Sequence, residues 1–383
     1  MRRIVVTGLA AVALAAGAAT QALAAPLEMG IQDDALFVRE PGTYGGKLSR
    51  LISRDAAYAA VDKLSVRVVR INVIWSHVAG LKKGDPWDWS HYDAAVDAAL
   101  AHGIEPQVTL TGPAPAWATG NGKRGVFRPR PDAFAEFVAA AATRYAGRVK
   151  RYSIWNEPNW PSWLAPKSAE PSIYRGLYRA AYAAVKQVDP SAQVLIGELA
   201  PMGPPEAAMP PLRFLRSLTC SDAGWRRKGS CPALTADGFA HHPYALRWAP
   251  EYGGPGKDDV TIGSLSRLER ALSALARRHA LVTPQGRGMQ LYLTEFGYHA
   301  NSRVIGERER AIFTRRAYDI AARDVHVRQL VWYQLAAPPP RRKPQWDTSL
   351  LHVDGTPTPT YEALVQWVTA GLKAGRVVRS ARR

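Results

Sequence analysis

Two short runs of this chain end on a glutamate. Ser153-Ile154-Trp155-Asn156-Glu157-Pro158 places a carboxylate where an apolar run stops at a proline. Far downstream, Leu291-Tyr292-Leu293-Thr294-Glu295-Phe296-Gly297 ends in the same way. Two carboxylates, each closing a separate strand, suit the cleavage of an acetal at a sugar carbon. One protonates the leaving oxygen and the other attacks the carbon, as in retaining glycoside hydrolysis. A lone Asn-Glu-Pro would be a weak signal. The pair is stronger, because alternating strands and helices surround it.

Those elements follow in regular order. Residues 27–32 read as a first strand and 55–64 as a short Ala-rich helix. Residues 66–75 are dense in β-branched side chains and predict a second strand, followed by a helix over 92–101 that His102-Gly103 ends. Strand three spans 104–111, and the helix over 132–145 carries Phe134, Phe137, Val138 and Ala141 on one face. Strand four covers 151–155, and a stripe of Ile173, Leu177, Ala180 and Ala184 marks the next helix. Strand five reads as 193–197, a short helix as 211–218 and strand six as 237–241. Leu265, Leu268, Leu272 and Leu275 form another helical stripe. Strand seven at 289–294, a helix over 307–323, strand eight at 329–335 and a closing helix over 361–370 complete the series. Eight such units predict an α/β fold, a single parallel (β/α)₈ TIM barrel over residues 25–383. An open doubly wound sheet is the alternative, but the chain lacks a Gly-rich nucleotide loop.

In a (β/α)₈ barrel the chemistry gathers at the C-terminal ends of the strands. Glu157 and Glu295 fall there, with Arg70 and Asn72 of strand two, His241-His242-Pro243-Tyr244 after strand six, and Trp332 in strand eight. A nearby arginine and a tyrosine hydroxyl favour an ionised nucleophile, and partial burial favours a protonated acid. Sugars present apolar C–H faces, so Trp75, Trp117, Trp160, Trp163 and Trp248 are candidates to line the cleft. Trp87 and Trp89 are expected to pack the start of the second helix, and Asp258-Asp259 to be solvated. No metal cluster and no Ser/His/Asp elbow motif is visible.

With these residues in hand, the chain resembles clan A of the glycoside hydrolases, above all the cellulase-like family 5 and the xylosidase-like family 39. The likeness runs over essentially all the chain after its leader. Trp155-Asn156-Glu157-Pro158 matches the clan's strand-four motif, which implies Glu157 as acid/base and Asn156 as the partner of the sugar 2-hydroxyl. Thr294-Glu295-Phe296-Gly297 matches the strand-seven nucleophile. His242 and Tyr244 match the clan's His-x-Tyr, Arg70 its strand-two arginine, and Trp332 the aromatic under the reacting sugar. The resemblance implies a retaining enzyme for β-linked oligo- or polysaccharides that needs no cofactor. A sugar-holding pseudoenzyme and a cell-wall transglycosylase would share the same residues.

The start of the chain has its own pattern. Arg2-Arg3, an apolar core and Ala22-Leu23-Ala24 read as a signal peptide over residues 1–24, cut after Ala24, and so predict secretion. A transmembrane anchor is the alternative, but the segment is short and Ala-rich. Cys220 and Cys231 lie close together in a Gly/Ser-rich stretch, where a secreted protein is expected to bridge them. Two buried thiols are the other reading. The cysteine loop leads into strand six, which puts it on the barrel face away from the glutamates. The formal charge of +18 fits an acidic polysaccharide, an anionic cell surface or simply a solvated basic exterior. The basic residues are scattered, apart from Arg376, Arg379, Arg382 and Arg383, and no nucleic-acid motif accompanies them. No later stretch is apolar enough to span a bilayer, and the chain is expected to act as a monomer.

Overall fold

The computed structural model describes residues 24–39, 52–203, 207–229, 231–286, 288–300, 302–339 and 345–380. The expected leader as far as residue 23 lies outside these residues, as do Arg382 and Arg383. Eight parallel strands close into a barrel. They are β1 (Glu28–Gln32), β2 (Val68–Ile74), β3 (Glu105–Thr111), β4 (Arg151–Ile154), β5 (Gln193–Leu199), β6 (Gly238–His241), β7 (Leu291–Phe296) and β8 (Val327–Tyr333). Each strand pairs with its neighbours in sequence, and β1 closes on β8 from Glu28↔Gln329 to Gln32↔Tyr333. The expected fold class is the observed one.

Outer helices cover the barrel, and local signals start them. Pro131, Pro211 and Pro359 occupy first helical positions, where a missing N–H costs nothing. Ser53 and Thr358 accept hydrogen bonds from the backbone N–H groups of Ala56 and Tyr361. The helix Glu170–Val188 buries Tyr174, Leu177, Tyr178, Ala181 and Val185 on one stripe. At the N-terminal end of the barrel the chain's end straps its beginning, with Leu27 N donating to Arg376 O and Val378 N to Leu27 O. A small parallel pair, Leu234–Thr235 with Leu281–Val282, precedes β6 and β7 at that end.

The disulfide Cys220–Cys231 is formed, with its Cα atoms 6.1 Å apart. It closes the loop between the helix Pro211–Leu218 and the Leu234–Thr235 pair that leads into β6. The loop therefore enters β6 from its N-terminal end, away from Glu157 and Glu295.

Two departures from the sequence reading matter for the site. The second strand stops at Ile74, and Trp75 opens a short helix, Trp75–Val78. Strand five runs past Gly197 to Leu199. Glycine inside a strand pattern reads as an end, but here it marks a bulge. Gly197 sits at φ +118°, and the pairing with β6 shifts register between Gly197 and Leu199. A Cβ at Gly197 would lie 2.3 Å from the carbonyl oxygen of Ala240, so no side chain fits there. The bulge carries the chain one residue further, to Glu198.

Candidate active site

Local backbone at the end of β4 lifts Glu157 toward the barrel mouth. Trp155 and Glu157 have φ of 66° and 39°, left-handed values that non-glycine residues seldom adopt. Burial holds them there. The Trp155 ring is fully buried, packs edge-on against Phe134, and donates from Nε1 to Trp163 O at 2.8 Å. The backbone N–H of Glu157 donates to Glu198 O at 2.9 Å.

Glu198 is a functional-site residue that sequence reasoning missed. Its side chain is completely buried and accepts from four directions. Oε2 takes Arg70 Nη2 at 2.7 Å, His242 Nε2 at 2.6 Å and Thr294 Oγ1 at 3.0 Å. Oε1 takes the hydroxyl of Ser153. One carboxylate thereby ties together the ends of β2, β4, β6 and β7. Burial alone would raise its pKa, but Arg70, His242 and Ser153 outweigh that and bring it down to about 2. A signal existed: Val194-Leu195-Ile196-Gly197-Glu198 brings an apolar run to a glutamate, as the other two runs do, and like the Glu157 run it is followed by a proline, Pro201.

Arg70 is buried beside it and distributes its donors. Nη1 reaches Glu295 Oε2 at 3.0 Å and also Gln32, while Nη2 reaches Asn156 Oδ1 at 2.9 Å. Tyr244 donates its hydroxyl to the other oxygen of Glu295 at 2.8 Å. Burial pushes the carboxyl of Glu295 above its ordinary range, and Glu157 adds to the push; His242, Arg70 and Tyr244 pull the other way without cancelling it. The Tyr244 phenol is raised in turn by burial and by Glu295, so it remains a donor.

His242 is expected on sequence grounds to touch substrate. It is instead fully buried beneath the cleft, with Nδ1 3.0 Å from Glu157 Oε1 and 3.9 Å from Glu295 Oε2. Burial disfavours its charged form, but Glu295, Glu157 and Glu198 together raise its pKa to about 9. Arg70 is likewise buried and acts on Asn156 and the carboxylates, not on the cleft. His241, the other histidine of the pair, bonds through Nε2 to Val260 O at 2.9 Å.

Above these groups opens a cleft of about 1180 Å³. Gln32, Asp34, Asn72 and Asp88 line it on the β1–β2 side, and Asn156, Glu157, Tyr244 and Glu295 lie along it. Trp160, Trp163 and Trp248 line it as expected, joined by Tyr333 and Trp346. Asp34 accepts from Asn72 N at 2.9 Å, Asn72 Nδ2 at 3.2 Å and Gln32 Nε2 at 3.0 Å, and burial raises its carboxyl. The space exceeds the roughly 300–1,000 Å³ of ordinary small-molecule pockets, so more than one sugar ring fits.

Three tryptophans are elsewhere. Trp332 is 1 % exposed and faces the helix layer, donating to Thr348 O at 2.8 Å and stacking on Tyr318. Strand side chains alternate between faces, so its neighbour Tyr333 takes the inward position. Trp75 is buried and stacks on Phe137. Trp117 meets Trp75 edge-on, donates to Gly80 O at 3.2 Å and borders a separate hollow of about 400 Å³. Trp87 and Trp89 pack as expected, but against Phe137 of the helix Pro131–Arg144. Of the two acids expected to be solvated, Asp259 is buried and Asp258 pairs with Arg216 at 2.5 Å. Among the described residues no group of three or more His, Cys, Asp or Glu is arranged to hold a metal ion. No helix among them is long and apolar enough to cross a membrane.

No family model and no curated protein matches this chain. Solved structures do. A family 39 glycoside hydrolase from the gut symbiont Bacteroides cellulosilyticus superposes with a TM-score of 0.63 at 20 % identity, covering 90 % of this chain and 64 % of that one. The chain thus spans less than two thirds of that enzyme's length. A monomeric β-xylosidase from Caulobacter crescentus gives 0.58 at 19 % identity, covering 90 % of this chain and 69 % of the other. An exo-β-1,4-mannosidase from an Opitutaceae bacterium gives 0.56 at 16 %, covering 92 % and 60 %. At such identities the likeness establishes the shared barrel architecture of this chain.

Proposed function

We propose that this protein is an exported, retaining glycoside hydrolase acting on β-linked glycans, with Glu295 as nucleophile and Glu157 as acid/base. The observation that carries the reading is that oxygens of Glu157 and Glu295 flank one ring nitrogen of His242, at 3.0 and 3.9 Å. Two carboxylates sharing one neighbour atom suit the retaining separation of about 5–5.5 Å better than the roughly 6.5–9.5 Å that inversion needs to admit a water. The glycosidase character of the structural neighbours and the disulfide support the hydrolase and its export, as does the leader pattern of residues 1–24.

The groups divide the work. Glu295 attacks the sugar carbon while Glu157 gives its proton to the departing oxygen. Arg70 and Tyr244 each hold one oxygen of Glu295, which orients the attacking carboxylate. Arg70 also holds Asn156 Oδ1, which turns the amide nitrogen toward the sugar 2-hydroxyl. Glu157 then takes a proton from the water that releases the sugar. Because Glu295 must be ionised and burial raises its pKa, the acid limb of activity lies above the ordinary carboxylate range.

Azide rescue tests the roles. Glu157→Ala should lose about 10²–10⁴-fold on poor leaving groups and far less on activated aryl glycosides. Azide should rescue it to a β-glycosyl azide of retained configuration. Glu295→Ala should lose activity on all substrates, and any azide product should be inverted. Reversed stereochemistry would exchange the roles, and full activity in both variants would end the hydrolase reading at these residues.

A further inference from the structure

The proposed chemistry uses Glu157 and Glu295, and leaves the most completely held carboxylate, Glu198, without a task. It is too deeply buried to meet a sugar. Its links nevertheless lead to both working glutamates. Through Arg70 it is one residue from Glu295, and through His242 one residue from Glu157. Its backbone carbonyl also holds the N–H of Glu157, and the N–H of His242 bonds to the next residue, Leu199.

Resting on the hydrolase reading, we infer that Glu198 is a positioning residue that acts through His242 and decides which oxygen of Glu157 carries the transferable proton. The carboxylate of Glu198 takes the Nε2–H of the ring. A neutral ring in that orientation would offer Glu157 a bare Nδ1, and the acid proton would turn inward to it. A doubly protonated ring offers Nδ1–H instead. Oε1 of Glu157 then accepts, and the proton is left on Oε2, the oxygen free to face the leaving group. Every charged or titratable neighbour of the ring bears on this choice. Glu157, Glu198 and Glu295 favour the cation, while His241 disfavours it, as burial does. Arg70 cancels part of the Glu198 charge but is itself shared with Glu295. With Glu198 and Glu295 ionised, the balance raises the ring's pKa above its ordinary value.

Glu198→Gln removes the anion and keeps the shape. In kcat/KM, which reports the first bond cleavage, the variant should lose on the order of 10²-fold on alkyl or sugar leaving groups. It should lose less than about tenfold on a dinitrophenyl glycoside, which needs little protonation. The basic limb of the profile for the poor leaving groups should also move to lower pH. An equal loss on both substrates with an unmoved limb would overturn the inference, because damage through Arg70 and Glu295 falls on both alike. A second measurement needs no variant at Glu198. Nitrogen-15 NMR of the parent protein, with the ring assigned from the spectrum lacking it in His242→Asn, should show both nitrogens protonated at pH 7. A neutral ring there would overturn the inference even with the hydrolase established. Failure of the hydrolase reading shows separately, as no turnover of any glycoside by the parent protein.

Discussion

Two arginines of the barrel strands pair with glutamates, one near each end, and they live differently. Arg70, toward the C-terminal end, pairs with Glu198, and both side chains are fully sealed from solvent. Arg151, toward the N-terminal end, pairs with Glu28 at 3.0 Å while both keep some exposure, 13 % and 27 %. Arg151 also reaches Gln107 and Gln193 on the flanking strands and lies over the ring of Tyr292. Similar residue types on the inside of the same barrel thus make a wet plug at one end and a dry charge network at the other. A dry network costs desolvation that only complete pairing offsets. That makes it rigid and intolerant of loss, which suits groups that must be aimed.

Breaking that contrast should produce the largest effect. Arg70→Met leaves Glu198 and Glu295 buried without their cation, and should cost about 3–5 kcal/mol in denaturant unfolding together with nearly all activity. Arg151→Met, where water replaces the lost charge, should cost only about 1 kcal/mol and spare activity. Equal costs would show that the two ends do not differ in the way described.

The disulfide sharpens the same contrast from the N-terminal end. Replacing Cys220 and Cys231 with serine should lower stability by about 3 kcal/mol, since the bridge joins residues separated by 11 in the sequence. Turnover by the folded protein should be unchanged, and a selective loss of activity would place the loop in contact with the site.

Stability should follow pH through the network. The pKa of Glu198 is brought down to about 2 from an ordinary 4.5, so its contribution is complete above pH 4.5 and disappears as pH falls toward 2. The pKa of His242 is raised to about 9 from 6.5, so its contribution is complete below pH 6.5 and disappears as pH rises through 9. Thermal melting across pH should therefore show this pair's full effect between about 4.5 and 6.5. In Glu198→Gln that feature should flatten.

The smallest effects separate the two faces of β8. Tyr333→Ala should raise KM roughly two- to tenfold, as expected for losing one aromatic contact. Trp332→Phe should leave KM alone and cost about 1–2 kcal/mol through lost packing and a lost hydrogen bond. The opposite pattern would return Trp332 to the sugar.

The alternating apolar periods, the proline and glycine punctuation and the two Glu-bearing runs were enough to reach a (β/α)₈ barrel with Glu157, Glu295, Arg70, Asn156 and Tyr244 at one end. These are local patterns, and closure of a parallel barrel carries strand ends to a common face whatever the loops do. Facing was not local. Trp332 and Tyr333 are adjacent, and only the register of β8 against β1 and the helix layer decides which one points inward. Glu198 was hidden because Gly197 reads as the end of a strand, whereas the close approach of Ala240 makes it a bulge. The charge on His242 is likewise a tertiary property. Its glutamate neighbours lie 44, 53 and 85 residues away, and only the closed barrel sets three carboxylates around one buried ring.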